Sequence, residues 1–431
     1  MTIFTRTLKL DLVINYASFA ITALSGVAFL FLLAHYLGMA GLGVVSLVLA
    51  LYGVIGQIAV GGIQFSALRV ASQQSIAQEE KVNLIYAAFI TAGLWSALIA
   101  FAIWFANDLF ASLFESPRVA EALLIVSPAL VLFALNKTAA STLNGLNHMR
   151  LFALQMMLRT ILLAGFSWPL AAMTGDPVLV CWAIVGSELG VTLYLFFQLL
   201  RLTGIPKFPC LSYRLIRRHL SFGLRGLWSG LAYEINTRLD VIVVGFFLTD
   251  AEVGLYALVA QLAEGFFNIL IVVRNQLAPV LGKLMKPLQV DDIQRLARAI
   301  FIIIVPIAAL SAFVGVWLYA PVMQILFPGQ GYEAGASLLA ILLVGLVLNS
   351  WLFVLDILLI VGGYPGSYSL LMFLTVATNM AANLTLVPMF GLHGAALATA
   401  LASLSWGGYF LLVSRKRFGF WLPAKPQVLK R

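Results

Sequence analysis

Apolar residues recur along the chain in blocks of twenty or more, separated by short polar connections. An α-helix rises about 1.5 Å per residue, so some 20 apolar residues cross a hydrocarbon core about 30 Å thick. The pattern predicts twelve spans, at about 12–34, 41–63, 83–105, 121–142, 151–172, 178–200, 224–248, 255–275, 299–320, 336–360, 367–388 and 391–413. Grouped by their connections, they give an N-terminal six-helix lobe at 1–204 and a cytoplasmic amphipathic linker at 205–223. A C-terminal six-helix lobe follows at 224–413, then a basic tail at 414–431. The expected fold is an all-α polytopic membrane protein with two six-helix lobes.

Composition sharpens that reading. Of the 431 residues, 62% are hydrophobic and only 10% charged, where a soluble domain carries about a quarter charged residues. No polar stretch is long enough for a soluble domain. The run Leu12–Leu33 follows Arg6 and Lys9 as a signal peptide's core would, but it is too long, and an uncleaved first helix is expected. Cys181 and Cys210 fall in different environments, and the four histidines lack ligand spacing, so neither a disulfide nor a metal site is predicted.

The net charge of +9 is a matter of placement. All but four of the 26 Lys and Arg residues fall on the side shared with the N-terminus, the exceptions being Arg118, Lys137, Arg159 and Arg238. The positive-inside rule then places both termini in the cytoplasm and the basic excess against anionic lipid, with no nucleic-acid partner. The linker continues past its prolines with Leu215, Ile216 and Leu220 opposite Arg214, Arg217 and Arg218, the pattern of a helix lying on the inner leaflet. The segments LGMAGLGVVSLV at 37–48 and LTDAEVGLYALV at 248–259 align without gaps, each between the first and second helix of its half. Parallel repeats about an axis along the membrane normal would produce that placement.

Charged groups at membrane depth cost about 2.5–3.5 kcal/mol each on insertion scales, so they mark candidate sites. Within the predicted spans are the acids Glu188, Glu234, Asp240, Glu264 and Asp356 and the bases Lys137, Arg159 and Arg238. Each has a plainer alternative, a structural ion pair or a side chain reaching an interface. Glu234 and Arg238 share a helical face at i,i+4 and are expected to pair. Asp240 lies about 200° around the helix from Arg238 and needs a different partner. Three bases near a central path suit an anion such as phosphate, which a guanidinium grips bidentately. Nearby carboxylates suit anion release, or coupling to H+ or Na+. Trp228, Tyr233, Tyr256 and Trp351 could stack on sugar faces, though aromatics also anchor helices at interfaces. No nucleophile or metal centre is presented as an enzyme would need, so the expected function is non-enzymatic, with no cofactor.

The stretch NTRLDVIVVGFFLTDAEVGLYALVAQLAE at 236–264 carries a further signal. It resembles the hallmark of polysaccharide exporters and O-antigen flippases (Wzx-type) of the multidrug/oligosaccharidyl-lipid/polysaccharide exporter superfamily. The matching residues are Arg238, Asp240, Gly245, Asp250, Val253, Gly254, Tyr256 and Ala257. LGMAGLGVVSL at 37–47 and GLHGAALATALAS at 391–403 support it. The resemblance implies a MATE-like arrangement of two lobes in a V, alternating access, and translocation of an undecaprenyl-diphosphate-linked oligosaccharide, an O-antigen or other repeat unit. It further implies the bacterial inner membrane, with a polysaccharide polymerase and glycosyltransferases as partners. Arg238, Arg159 and Lys137 are then candidates for the anion, and Glu234, Asp240 and Glu264 for ion coupling or arginine positioning. Lipid II flippases usually have two further helices, which ranks that substrate lower. The alternatives are a cation-coupled multidrug antiporter of the same fold, or a non-transporting component of a polysaccharide assembly complex.

Overall fold

Two glycines turn long runs of helix into hairpins in this computed structural model, which describes residues 6–206, 212–285 and 288–419. Helix α1 (Arg6–Val60) has 55 residues, about 80 Å if straight and far longer than a membrane crossing. Gly38 breaks it with φ 66° and ψ −174°, a backbone that only glycine adopts without strain. A Cβ placed on Gly41 would lie 2.6 Å from Leu37 Cβ, whereas residues four apart on a straight helix stand about 5–6 Å apart. The chain folds back there. Gly391 (φ 58°, ψ −135°) does the same within α14 (Pro365–Phe418). A Cβ on Gly394 would fall 2.0 Å from the carbonyl oxygen of Leu386, which a straight helix would put about 12 Å away.

Nine helices among the described residues are long and apolar enough to cross a membrane. Two of them are these hairpins, each supplying two crossings. Helix α9 (Tyr213–Phe247) is 35 residues long but carries the charges that keep it out of that set. The total is twelve crossings, as the sequence pattern predicts.

The chain forms two compact units, Met1–Arg238 and Leu239–Arg431, divided within α9. The first holds α1, α2 (Ile63–Ser72), α3 (Gln78–Phe105), α4 (Asn107–Leu113), α5 (Pro117–Gly145), α6 (Met149–Thr174), α7 (Pro177–Val180), α8 (Trp182–Thr203) and most of α9. Helix α5 is its centre, packed by α1, α2, α3 and α8 and burying small residues such as Ala129, Ala134 and Thr138. Helix α6 keeps most of its surface apolar and outward, as a lipid-facing helix does.

The second unit holds the end of α9, α10 (Asp250–Leu284), α11 (Val290–Leu326), α12 (Ala336–Leu355), α13 (Ile357–Val361) and α14. Its core gathers Leu270, Leu281, Ile293, Leu355, Leu358 and Phe410 around α12. Helix α11 presents Ile302, Ile307, Leu310, Phe313 and Trp317 outward. Thr249 opens α10 with a capping box: Thr249 Oγ1 and the Glu252 carboxylate each satisfy the other's backbone N–H. The aligned segments 37–48 and 248–259 thus hold the same place in each half, turned by a glycine break in one and a capping box in the other.

The linker takes a different form from a helix on the leaflet. Residues 207–211, with Lys207 and Cys210, lie outside the described residues. Tyr213–Phe222 is the first part of α9 itself, running on into the crossing. Its apolar face is used within the protein: Leu215 packs on the cluster containing Val70 and Leu84, and Leu220 on that of Ile63 and Ala88. Burial against α2 and α3 satisfies the same amphipathic pattern that a membrane surface would. Of the basic tail at 414–431, Ser414–Phe418 ends α14, and 420–431 lie outside the described residues.

Candidate functional site

A carboxylate with almost no exposure organises the first unit. Glu188 on α8, 1% exposed, pairs with Arg159 of α6. It accepts hydrogen bonds from Asn136 Nδ2 of α5 at 2.8 Å and from the Tyr52 hydroxyl of α1 at 3.2 Å. Four helices converge on this one acid. A buried ion pair is tolerated where its remaining hydrogen-bonding capacity is filled, and here both carboxylate oxygens are occupied.

Phe133, one turn from Lys137 on α5, sits under two cations at once. The Arg159 guanidinium carbon lies 4.7 Å from its ring centroid and Lys137 Nζ 5.4 Å. Each distance is within the range of a cation–π contact. Lys137 is within electrostatic reach of Arg159, Glu234 and Glu188. It has no ion pair among the described residues, and its side chain is exposed. Of the bases proposed from sequence, Arg159 is committed to Glu188 while Lys137 keeps its donors open.

Helix α9 brings the other charged pair alongside. Its glycines let it run close against α1 and α2: a Cβ on Gly223 would strike the Gly61 carbonyl at 2.5 Å, and one on Gly230 the Gln57 amide at 2.1 Å. One turn further along this face, the Glu234 carboxylate occupies the space beside Gly53, whose Cβ would lie 2.5 Å from Glu234 Oε1. The expected i,i+4 pair forms, with Arg238 Nε 3.6 Å from Glu234 Oε1. That is an ion pair but too long for a hydrogen bond, and Arg238 Nε has no hydrogen-bond partner among the described residues.

Asp240 is held differently, wholly within the second unit. Asn379 and Asn383 of α14 donate to its Oδ1 at 2.9 and 3.0 Å. The Thr399 hydroxyl, in the other arm of α14, donates to Oδ2 at 2.6 Å, with the Tyr256 hydroxyl of α10 at 3.4 Å. Every partner is neutral. Among the described residues no base pairs with it, so its charge is balanced only by oriented dipoles. Asn383 Oδ1 is buried without a hydrogen-bond partner. With the two amides turned, the pocket offers a carboxylate, two amide oxygens and a hydroxyl, the hard oxygen set suited to a small cation.

The remaining sequence candidates scatter. Glu264 is half-buried on α10 with no ion-pair partner among the described residues. Tyr256 and Trp351 are buried in the second unit and unable to stack on a sugar, whereas Trp228 and Tyr233 are exposed. Asp356 is fully buried and pairs with Arg274, which also donates to the Tyr368 hydroxyl at 3.3 Å. Arg274 reads from sequence as a basic connection residue but belongs to the apolar body of α10. The signal that could have placed it is Asp356 itself, a buried acid in want of a base. His219, in the entry segment of α9, is also fully buried, its Nδ1 2.9 Å from Ser66 Oγ. Burial and the neighbouring Arg218 push its pKa down to about 4.

Over residues 32–328 the chain matches the model of a family described as Polysaccharide biosynthesis protein. No curated protein matches it. Among solved structures, it resembles the lipid II flippase MurJ in an inward closed conformation, at TM-score 0.74 and 18% identity over 94% of this chain and 89% of that one. It also resembles an inward-facing multidrug resistance MATE family transporter of the MOP superfamily, at TM-score 0.71 and 16% identity over 92% and 95%. The MATE multidrug transporter DinF-BH, in complex with R6G, gives TM-score 0.64 and 15% identity over 95% of each chain. At these identities the likenesses show a shared fold.

Proposed function

The chain belongs to the polysaccharide biosynthesis protein family, and from that premise we propose that it is a flippase for an undecaprenyl-diphosphate-linked oligosaccharide, an O-antigen or other polysaccharide repeat unit. The observation that carries this reading is the pair of cations over Phe133, with Arg238 and its unfilled Nε in the same unit. Three bases face two acids in this cluster, Lys137, Arg159 and Arg238 against Glu188 and Glu234, so it favours an anion. A drug cation would meet net positive charge there, which disfavours the multidrug antiporter. The MurJ likeness supports a lipid-linked substrate, since that protein is named a lipid II flippase.

Arg238 and Lys137 bind the diphosphate while Glu188 holds Arg159 in place beside them. The polyprenyl tail stays in lipid, and alternating access carries the headgroup across the bacterial inner membrane. Asp240 takes the coupling ion, a sodium ion among its neutral oxygens or a proton on its carboxylate. Both termini are cytoplasmic, and the basic inner surface meets anionic lipid. A polymerase and glycosyltransferases act before and after this step.

The test follows lipid-linked sugar intermediates in a strain lacking the gene, complemented with wild type or Arg238→Ala at equal insertion. Intact undecaprenyl-linked units accumulate on the cytoplasmic face, and only wild type clears them. Rising drug sensitivity with no accumulated intermediate would move the substrate class to drug export.

A further inference from the structure

We infer that Glu234, seated in the gap that Gly53 leaves on α1, is a built-in competitor for the anion, occupying Arg238 until a phosphate headgroup displaces it. The inference rests on the anion reading of the same cluster. Three observations place Glu234 in this role. Its carboxylate rests where a side chain at position 53 would be, 2.5 Å from a Cβ there. It reaches Arg238 at 3.6 Å, close enough to satisfy charge and too far to fill the Nε donor. Lys137, without an ion pair among the described residues, lies within its field.

A phosphate offers Arg238 what Glu234 withholds, two oxygens at hydrogen-bonding distance and more than one charge. Exchange of one anion for another leaves the guanidinium never bare at membrane depth, where an unpaired charge is costly. The same exchange limits affinity, because the headgroup must displace a resident carboxylate and that carboxylate can return to expel it. A carrier must release what it binds, so a resident competitor favours turnover over tight binding. Gly53 is a positioning residue: the space it leaves fixes where the competitor rests.

The test uses purified full-length protein in nanodiscs, with farnesyl diphosphate as probe and inorganic pyrophosphate as a headgroup-only arm. Glu234→Gln is expected to bind farnesyl diphosphate about three- to fivefold more tightly, the range set by a partly exposed ion pair. Gly53→Ala keeps every charge yet fills the seat. The obstructing atom is the end of a flexible side chain, so the helix need not move. It is expected to tighten binding in the same direction and to lower kcat and KM together in a flipping assay. Glu234→Asp, shorter by one methylene and still charged, is the second charge-preserving variant should Gly53→Ala fold poorly. Tightening in Glu234→Gln alone, with both charge-preserving variants at the wild-type value, would show long-range charge only and overturn the inference. So would weaker binding in any of the three. Arg238→Ala separates the two levels: if it binds like wild type, the anion reading itself fails. If it binds more weakly while the seat variants do not tighten, only the competitor fails. Tightening toward pyrophosphate as well as farnesyl diphosphate assigns the effect to the headgroup, as proposed; tightening confined to farnesyl diphosphate would contradict it.

Discussion

Arg238 and Asp240 stand two residues apart on α9, yet their side chains are held by different units of the chain. Arg238 pairs with Glu234 in the first, and Asp240 is gripped by Asn379 and Asn383 in the second. Helical geometry turns them about 200° apart, so one short segment serves both an anion cluster and an oxygen-rich carboxylate pocket. If sodium is the coupling ion proposed for this pocket, Asp240→Asn is expected to abolish the stabilisation that sodium gives. With ionic strength fixed, raising sodium raises the wild-type Tm by mass action and leaves Asp240→Asn unmoved. Equal sodium responses in both proteins would remove Asp240 from sodium binding and leave the proton as the coupling ion.

Glu188 is the keystone of the first unit's polar interior. Glu188→Ala strands the half-buried Arg159 guanidinium. It also removes one of two acceptors from each of Tyr52 and Asn136, which keep the Ala129 carbonyl and the backbone carbonyl of residue 188. A loss of about 3 kcal/mol is expected. Glu188→Gln keeps one acceptor oxygen for Arg159 and Tyr52 and turns an amide N–H toward Asn136, whose unpartnered Oδ1 can receive it once that amide turns, so it loses less. Chemical unfolding in detergent compares the two; equal losses would mean that the missing charge, common to both variants, carries the whole effect and the hydrogen bonds contribute little.

Arg274 and Asp356 form the corresponding buried pair of the second unit. Asp356→Ala alone is expected to destabilise by about 3–5 kcal/mol, because it leaves Arg274 without its counter-charge. Replacing both with Arg274→Met and Asp356→Leu is expected to recover most of that loss, since apolar packing often matches a buried pair. A double variant as unstable as the single one would show that the pair does more than satisfy itself.

His219 links stability to pH. Its folded pKa of about 4 lies below the ordinary value near 6.5. Between these values the unfolded chain binds the extra proton, so this contribution is fully present above about pH 6.5 and is lost as pH falls toward 4. Wild type is expected to lose stability through that window relative to His219→Gln. Parallel pH curves for the two proteins would refute it.

Much of the architecture is legible in the sequence because a membrane imposes one requirement on every span. Twelve apolar runs and the i,i+4 spacing of Glu234 and Arg238 follow from helix length and period. The turned position of Asp240 does too. What the sequence leaves hidden are choices between equivalent burials. The face of Leu215 and Leu220 fits a leaflet surface as well as it fits α2 and α3. Tyr52 and Asn136 look like ordinary core residues until Glu188 is seen between them. Arg274 hides at the end of an apolar run, where a base also satisfies the positive-inside rule. The gap at Gly53 is invisible because a missing side chain carries no signal of what fills its place.

Lys137 and Arg238 are the residues proposed to carry a lipid-linked anion across the membrane. The most direct measurement reconstitutes the protein in vesicles with a fluorescent undecaprenyl-diphosphate oligosaccharide and follows its transfer between leaflets. Wild type is predicted to equilibrate the lipid, and Arg238→Ala and Lys137→Ala to slow it at least about tenfold, the loss of one charge-assisted contact to phosphate. Wild-type rates in both variants, with the lipid still flipped, would contradict the account.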